Sequence, residues 1–210
     1  MKIAVIQASS QISKNEMLFK YTKKYAKNAE VFNFGCTEKE INSYSYIEIS
    51  ILIGLLLNSK AVDFVVTGCS SGQGMMLACN SMPGVICGYT PLPKDAYLFA
   101  QINNGNAVSL PLDQEYTYLG EENLKQTLKM LFLEPFGQGY PKSEEKRKQQ
   151  DTLVLKKMRG DLQKETDSLI EWINPALLTK ILKKKDVIEF ILNCPEKSNI
   201  KGWLKVNYKM

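Results

Sequence analysis

Short apolar runs alternate with helix-like segments along roughly the first 130 residues. The runs, typical of buried strands, lie at 2–7, 30–34, 64–67, 85–87 and 107–110. The predicted helices lie between and after them, at about 13–27, 46–58, 75–81, 94–102 and 121–132. Strands that alternate with helices at this spacing predict βαβ units. We therefore expect a doubly wound, five-stranded parallel sheet with helices on both faces, an α/β fold of the Rossmann or flavodoxin-like three-layer type.

The pattern changes after about residue 136. A charged helix is predicted over 144–165, followed by one or two short helices over 169–185 with a break near Pro175. Two further runs, VIEFIL (187–192) and WLKVNY (203–208), predict a pair of strands. We therefore divide the chain into a first domain, 1–142, and a C-terminal helical arm with a small α+β subdomain, 143–210.

Composition places the chain among ordinary globular proteins, with 44% hydrophobic and 23% charged residues. The longest apolar run, 47–57, contains Glu48, Ser50 and Gly54 and is too short to cross a bilayer, so we expect no membrane partner. The chain enters a strand directly, so we expect no signal peptide. The five cysteines form no CxxC pair, which indicates a reduced, cytoplasmic location.

Histidine is absent from the sequence. Its absence excludes Ser-His-Asp and Cys-His catalysis and histidine metal sites, and we expect no metal and no cofactor. The net charge of +5 arises from residue 143 onward, where there are 15 Lys and Arg residues against 10 Asp and Glu. These lysines are spaced as on solvated helix faces, so we expect no nucleic-acid partner.

The candidate chemistry concentrates in the segment 61–80, AVDFVVTGCSSGQGMMLACN. A buried strand leads into a small, glycine-rich loop at 67–74, and a helix is predicted to begin at Met75. Loop amides and a helix N-terminus at the carboxyl end of a strand bind anions. Cys69 lies in this loop, where the helix dipole favours a thiolate, unless it is simply a small buried hydrophobe. The segment thus predicts an anionic ligand beside a reactive sulfur.

Other loops are expected to reach the same cleft. Ser9, Ser10 and Gln11 follow the first strand, and we assign the turn at 103–106 to the same edge of the sheet. Ser71 is expected either to cap the following helix or to contact the ligand.

Three segments carry a resemblance to a known family: the loop GCSSGQG (68–74), Asn80 with MPGV (82–85), and INNGNAV (102–108). Over about residues 1–142 the chain resembles the ribose-5-phosphate isomerase B family, which includes the galactose-6-phosphate isomerase subunits. The segment GQGYP (137–141) is similar to that of a longer branch of this family.

The resemblance implies aldose–ketose isomerisation of a sugar phosphate, ribose 5-phosphate or a hexose 6-phosphate, through a cis-enediolate. The family's base falls on Cys69, its hydroxyl residue on Ser71 and its asparagine on Asn103, while its anion hole falls on 70–74. The predicted substrate-binding residues are Ser70, Gly72, Gln73 and Gly74 of this anion hole, Ser9 and Ser10 after the first strand, and Lys142 and Arg147 as nearby cations. Family members are dimers or tetramers with shared active sites, so we expect a homodimer or homotetramer in which the arm carries Lys142 or Arg147 to a partner.

The chain departs from the family pattern where histidines are expected. The family's Asp-His pair falls on Ala8 and Ser9, and its ring-opening histidine falls on Ile102. Its phosphate-binding arginines have no exact counterpart, and the nearest basic residues are Lys142, Lys146 and Arg147. Ring opening then uses another group or water, or the substrate enters as the open chain.

Two alternatives to the isomerase stay open. A non-catalytic sugar-phosphate-binding protein would have kept the loop and lost the histidines. A flavin or nucleotide module would share the topology, but the loop has no GxGxxG pattern and no Walker lysine.

Overall fold

The computed structural model describes residues 1–208, apart from the side chain of Asp167. The described chain forms five strands: β1 (Lys2–Val5), β2 (Glu30–Asn33), β3 (Phe64–Cys69), β4 (Cys87–Tyr89) and β5 (Ala107–Pro111). The helices that alternate with them are α1 (Asn15–Tyr25), α2 (Tyr46–Asn58), α3 (Gln73–Asn80), α4 (Pro93–Leu98) and α5 (Glu121–Leu131). The C-terminal helices are α6 (Glu145–Leu162), α7 (Thr166–Trp172), α8 (Pro175–Leu182), α9 (Lys185–Asn193) and α10 (Asn199–Asn207).

The five strands form one parallel sheet in the order β2-β1-β3-β5-β4. The predicted doubly wound, flavodoxin-like fold is therefore confirmed. The chain moves outward from β1 to β2 and then crosses to the other side of β1 to form β3. The switch point thus lies between β1 and β3, whose carboxyl ends are neighbours, and this is where open α/β sheets bind ligands.

Two apolar cores cover the two faces of the sheet because side chains alternate along each strand. Ile3 and Val5 of β1 point to the core beneath α1, α4 and α5. Ala4 and Ile6 point to the opposite core, which contains α2, α3 and the C-terminal helices. Helix α2 is buried along most of its length because it lies between the sheet and those helices, which explains its apolar sequence on every side. None of the described helices is both long enough and apolar enough to span a membrane.

The predicted strands at 187–192 and 203–208 are wrong, since both segments are helical. Val187, Ile188 and Ile191 form the buried stripe of α9, which has helical spacing and joins the α2 core. A short apolar run does not distinguish a strand from a buried helix, and tertiary packing decides here. The described part of the C-terminal segment is thus all helical and not α+β. Residues 209 and 210 of the predicted 143–210 segment lie outside the described residues.

Candidate active site

Cys69 is the last residue of β3 and lies at the carboxyl edge of the sheet. It is 8% exposed. Its carbonyl, like that of Ser70, accepts a hydrogen bond from the amide of Leu112 at 3.1 Å. The amide of Asp113 also donates to the Ser70 carbonyl, at 3.2 Å. These bonds fix the start of the glycine loop against the segment that follows β5.

The loop requires glycine at two positions because it packs closely against β5. Gly72 has φ +75°, and a Cβ there would lie 2.8 Å from the backbone of Leu110. Its carbonyl accepts a hydrogen bond from Ser109 Oγ at 2.6 Å. A Cβ on Gly68 would lie 2.5 Å from the Leu110 carbonyl oxygen. The loop is therefore held in one shape, with Gly72 as the N-cap of α3.

Ser71 and Gln73 are joined at the start of α3. The Gln73 amide donates to Ser71 Oγ at 3.3 Å, so Ser71 has a capping contact. Gln73 is exposed, whereas Ser71 and Gly74 are partly exposed. These three residues, with Ser70 and Gly72, form the loop that follows Cys69 directly.

Gln11 connects the loops that follow β1, β3 and β5. Its amide nitrogen donates to Ser70 Oγ at 3.1 Å and to Asp113 Oδ2 at 3.0 Å, and the side chain is buried. The Ala8 amide donates to the Gly68 carbonyl at 3.2 Å. The carboxyl ends of three strands therefore meet around Cys69.

Ser9 and Ser10 have different environments. Ser9 Oγ accepts from the Tyr44 amide at 2.8 Å, and the Ser9 amide donates to the Tyr44 carbonyl at 2.9 Å. Burial raises the pKa of the Cys36 thiol, and a hydrogen bond with Ser9 partly offsets that rise. Ser10 is exposed. Ser9 thus fixes the loop between β2 and α2, whereas Ser10 faces solvent.

Tyr46 stands beside the glycine loop. A Cβ on Gly74 would lie 3.6 Å from its ring, and Tyr46 is 42% exposed. It is the first residue of α2, after the N-cap Ser45, whose amide donates to Glu48 at 2.7 Å. The capping box of α2 therefore sets the position of an aromatic ring at the edge of the loop.

The turn at 103–106 does not lie at the carboxyl edge, so its predicted placement is wrong. Helix α4 continues as a π-helical turn, Phe99–Asn103, and returns the chain to the start of β5. Asn103 is exposed there, beyond the amino end of β5. Because Cys69 pairs with Pro111 at the far end, the two residues are separated by at least the length of β5, about 13 Å. The segment of this region that does lie at the carboxyl edge is the loop that follows β5.

Lys142 and Arg147 lie near Asn103 rather than near Cys69. The amide of Gly139, three residues before Lys142, donates to the Gln101 carbonyl at 2.9 Å. On α6, Thr152 Oγ1 donates to the Ile102 carbonyl. The structure thus divides the sequence-predicted site residues of one chain into two groups, one at each edge of the sheet.

Arg147 is exposed and paired within its own helical segment. It contacts Glu144 at 2.6 Å and Asp151 at 3.0 Å. The hydrogen bond to Glu144 raises the pKa of this already cationic side chain. Lys142 is exposed.

Sequence reasoning missed two residues at the carboxyl edge, Asp113 and Tyr46. Asp113 follows the carboxyl end of β5, so the same rule that selected the other loops would have found it. Tyr46 begins α2 after a Ser-x-x-Glu capping box, which marks where a helix starts beside this edge. In the described part of the chain, no group of three or more His, Cys, Asp or Glu side chains is arranged to hold a metal ion.

The fold and site define a class: a flavodoxin-like α/β protein with a cysteine and a glycine loop at its switch point. The model of the Ribose/Galactose Isomerase family matches residues 3–151, and the chain belongs to this family. A comparison with curated proteins gave no match.

Solved structures extend the comparison beyond the family model. A 4-deoxy-L-threo-5-hexosulose-uronate ketol-isomerase complexed with a tartrate is 38% identical, with a TM-score of 0.92 and 100% of each chain covered. A ribose-5-phosphate isomerase from Vibrio parahaemolyticus is 35% identical, with a TM-score of 0.87 and 99% of each chain covered. The type B enzyme of Trypanosoma cruzi is 21% identical, covers 73% of this chain and 97% of its own, and has a TM-score of 0.58, which shows the fold alone. Family and full-length neighbours together identify a sugar isomerase.

Proposed function

We propose that this protein is an aldose–ketose isomerase that acts on an anionic sugar, with Cys69 as the base. The observation that carries the proposal is the position of Cys69 at the carboxyl end of β3, beside the switch point and directly before the glycine loop. A base at this position is followed by amides that are already oriented, and oriented amides stabilise developing oxyanions.

The reaction conserves all atoms of the sugar. The Cys69 thiolate removes the proton from C2, and the electron pair of that C–H bond forms the C1–C2 double bond of a cis-enediolate. Amides of residues 70–74 face the charge on its oxygens, and the Ser71 hydroxyl or water moves a proton from O2 to O1. The Cys69 thiol then returns its proton to C1, which leaves a ketone at C2 and regenerates the thiolate.

Charge around the loop favours a singly charged substrate over a phosphate dianion. A dianion calls for a fixed cation, but of the two predicted candidates Arg147 is paired with Glu144 and Asp151, and Lys142 is exposed to solvent. The carboxylate of Asp113 lies beside the loop, hydrogen-bonded to Gln11, and repels a second anion. A sugar carboxylate needs less compensation than a sugar phosphate does.

The absence of histidine favours a substrate that is already open. A 4-deoxy-5-hexosulose uronate has no hydroxyl on C4, and its C5 oxygen belongs to a ketone. It thus has no C4 or C5 hydroxyl that could close a furanose or pyranose ring on C1. It therefore needs no ring-opening acid, and the resemblance places Ile102 where such an acid would be. We propose an open-chain deoxyhexosulose uronate as the substrate, with ribose 5-phosphate or a hexose 6-phosphate as the alternative.

We further propose a homodimer or homotetramer with shared active sites. Within one chain, Asn103 lies at the edge of the sheet opposite to Cys69, so it can serve a Cys69 loop only in another copy. Helix α6, which packs beside Asn103, exposes four large apolar side chains, and an interface would cover them. They are Leu153, Val154, Met158 and Leu162.

We place this enzyme in the cytoplasm. A cysteine base must remain a free thiol, and all five cysteines are free. Reducing compartments keep thiols in that state.

The test is turnover in D2O of the deoxyhexosulose uronate, ribose 5-phosphate and galactose 6-phosphate, each followed by NMR at C1 and C2. We expect the wild type to convert the uronate, and Cys69→Ser to lose about 100-fold or more of that rate. The control is Cys194→Ser, which changes a buried thiol of the C-terminal helices and should keep the activity. Equal activity of Cys69→Ser and wild type would overturn the mechanism, binding without exchange would favour the non-catalytic alternative, and turnover of a phosphate alone would correct the substrate.

A further inference from the structure

A large cavity lies at the amino edge of the sheet, opposite to the Cys69 loop. This amino-edge cavity has a volume of about 1090 Å³. Its walls include the turn that leads from α1 into β2, the start of β3, the turn before β5 and the segment after α5, and helix α6 closes one side. It is large enough for a whole metabolite, and no step of the proposed isomerisation uses it.

The lining carries an excess of positive charge. Its cations are Lys24, Lys27, Lys129, Lys156 and Arg159. Its two carboxylates are already engaged, because Asp63 accepts the Lys2 amide at 2.7 Å and Glu134 accepts the Tyr97 hydroxyl at 3.0 Å. Among the described residues, none of the five cations has an ion-pair partner.

Lys156 is exposed and Arg159 is partly buried, and neither has a carboxylate partner in the described part of the chain. Burial lowers the pKa of Lys156 and of Arg159, and no carboxylate opposes the shift. The Arg159 Nη2 atom donates to the carbonyls of Asn80 and Val85, which fixes the guanidinium against the turn that precedes β4. Its Nε is buried and has no acceptor. An anion in the cavity would supply the missing charge.

Three aromatic rings form part of the cavity wall. Phe64 meets the edge of Phe136 at 5.1 Å and that of Phe132 at 6.0 Å, between ring centroids. Phe132 and Phe136 stack on each other, and all three line the cavity. Aromatic walls with a cationic rim match a ligand that has a flat ring at one end and an anion at the other.

We propose that the amino-edge cavity is a second ligand site, which binds an organic phosphate with an aromatic ring, of the nucleoside diphosphate class. The ring lies against Phe132 and Phe136, and the phosphates meet Lys129, Lys156 and Arg159. Within one chain the site is separate from the Cys69 loop, because the length of the sheet lies between them. It does not depend on the proposed isomerase activity.

Calorimetric titration tests this with ADP, with pyrophosphate, which has no ring, and with adenosine, which has no phosphate. We expect ADP to bind wild type at least about tenfold more tightly than either fragment. Lys156→Glu should weaken ADP binding by about tenfold or more, because it reverses a charge at the phosphates. The matched control, Lys94→Glu, makes the same charge change on exposed α4, outside the cavity, and should leave the affinity within about twofold.

Cys69→Ser should bind ADP as wild type does, which separates this site from the proposed active site. Circular dichroism checks that each variant is folded. The proposal is overturned if ADP does not bind at millimolar concentration. That result is expected if another copy of the chain fills the cavity. Equal affinity for ADP and pyrophosphate, or equal weakening by Lys156→Glu and Lys94→Glu, overturns it as well.

Discussion

Lys184 Nζ lies 2.9 Å from Glu40 Oε2, although 144 positions separate the two residues in the sequence. Lys184 also contacts Asp186 at 2.9 Å, and its side chain is only 2% exposed. The contact joins the buried start of α9 to the loop between β2 and α2. This loop also holds Tyr44, whose backbone is paired with Ser9 beside the candidate site.

A second ion pair reaches the same region. Lys180 of α8 lies 2.6 Å from Glu48, the capping-box residue of α2. The Glu48 carboxylate accepts a hydrogen bond from the amide of Ser45. Tyr46, which follows Ser45, lies beside Gly74. The C-terminal helices therefore support the wall of the candidate site from behind, which explains why the tail shares a core with α2.

Replacement of Lys184 should destabilise the fold and loosen the site wall. We expect Lys184→Met to lower the free energy of unfolding by about 2–3 kcal/mol, less than for a fully buried pair because water reaches Glu40. Urea unfolding measures this loss. Lys183→Met removes the same charge from an exposed neighbour and should cost under about 0.5 kcal/mol. Equal losses in the two variants would show that the buried pair has no special role.

The pair at Glu48 predicts a pH dependence. Burial alone would raise the pKa of Glu48, but hydrogen bonds from Lys180 and Ser45 outweigh it and lower the pKa. A carboxyl whose pKa is lower in the folded state stabilises the fold above its unfolded pKa, about 4.3, and loses that contribution as pH falls. At pH 7 we expect the free energy of unfolding of wild type to exceed that of Glu48→Gln by about 1 kcal/mol. The difference is small because solvent screens the partly exposed Lys180.

Urea unfolding at pH 7 and at pH 3 measures this difference, which should shrink at the lower pH. Glu171→Gln, at an exposed position of α7, is the control and should show little difference at either pH. A gap between wild type and Glu48→Gln that stays constant with pH would contradict the assignment.

The shape of the glycine loop can be tested by adding one methyl group. Gly72 has φ +75° and a Cβ there would lie 2.8 Å from the Leu110 backbone, whereas Gly120 has φ +90° and open space around it. Gly72→Ala pays the cost of a left-handed backbone, about 1–2 kcal/mol, and adds a clash of about 1–3 kcal/mol, whereas Gly120→Ala pays only for its glycine-type backbone, φ 90° and ψ 172°, about 1–3 kcal/mol. We therefore expect Gly72→Ala to melt lower than Gly120→Ala and to lose more isomerase activity. Equal melting temperatures would show that the loop can move away from β5.

Local patterns predicted the sheet because each of its strands is a short apolar run between helices. The rule that ligands bind at the carboxyl ends of strands selected the loops of Gln11 and Ser70, which the structure brings within 3.1 Å. The same rule does not cover Asn103, which follows a helix and precedes a strand. The rule applies instead to the loop after β5, which contains Asp113.

Other features depend on contacts that no local pattern contains. The run at 187–192 is a helix because Phe190 packs against Phe32 and Phe34 of the β2 region, at 4.5 and 5.0 Å between centroids. The partner of Lys184 is likewise distant in sequence.

Mixing two inactive variants tests the shared active site. Cys69→Ser and Asn103→Ala change residues at opposite edges of one chain, which the proposed dimer brings into one site. In a mixed dimer, one site then carries both changes and the other carries neither. If subunits assort at random, half of the dimers are mixed and half of their sites are intact, so we expect about one quarter of wild-type activity.

The control pairs Cys69→Ser with Ser71→Ala. Both residues belong to the loop of the same chain, so every site in a mixed dimer carries one change and activity should not rise above the mean of the two parent variants. Subunits are mixed by refolding together, and two different affinity tags verify that mixed dimers form. If tagged mixed dimers of Cys69→Ser and Asn103→Ala stay inactive while each parent binds substrate, Asn103 does not act across the interface. The two edges of the sheet would then have separate roles, because the length of β5 prevents Asn103 from reaching the Cys69 of its own chain.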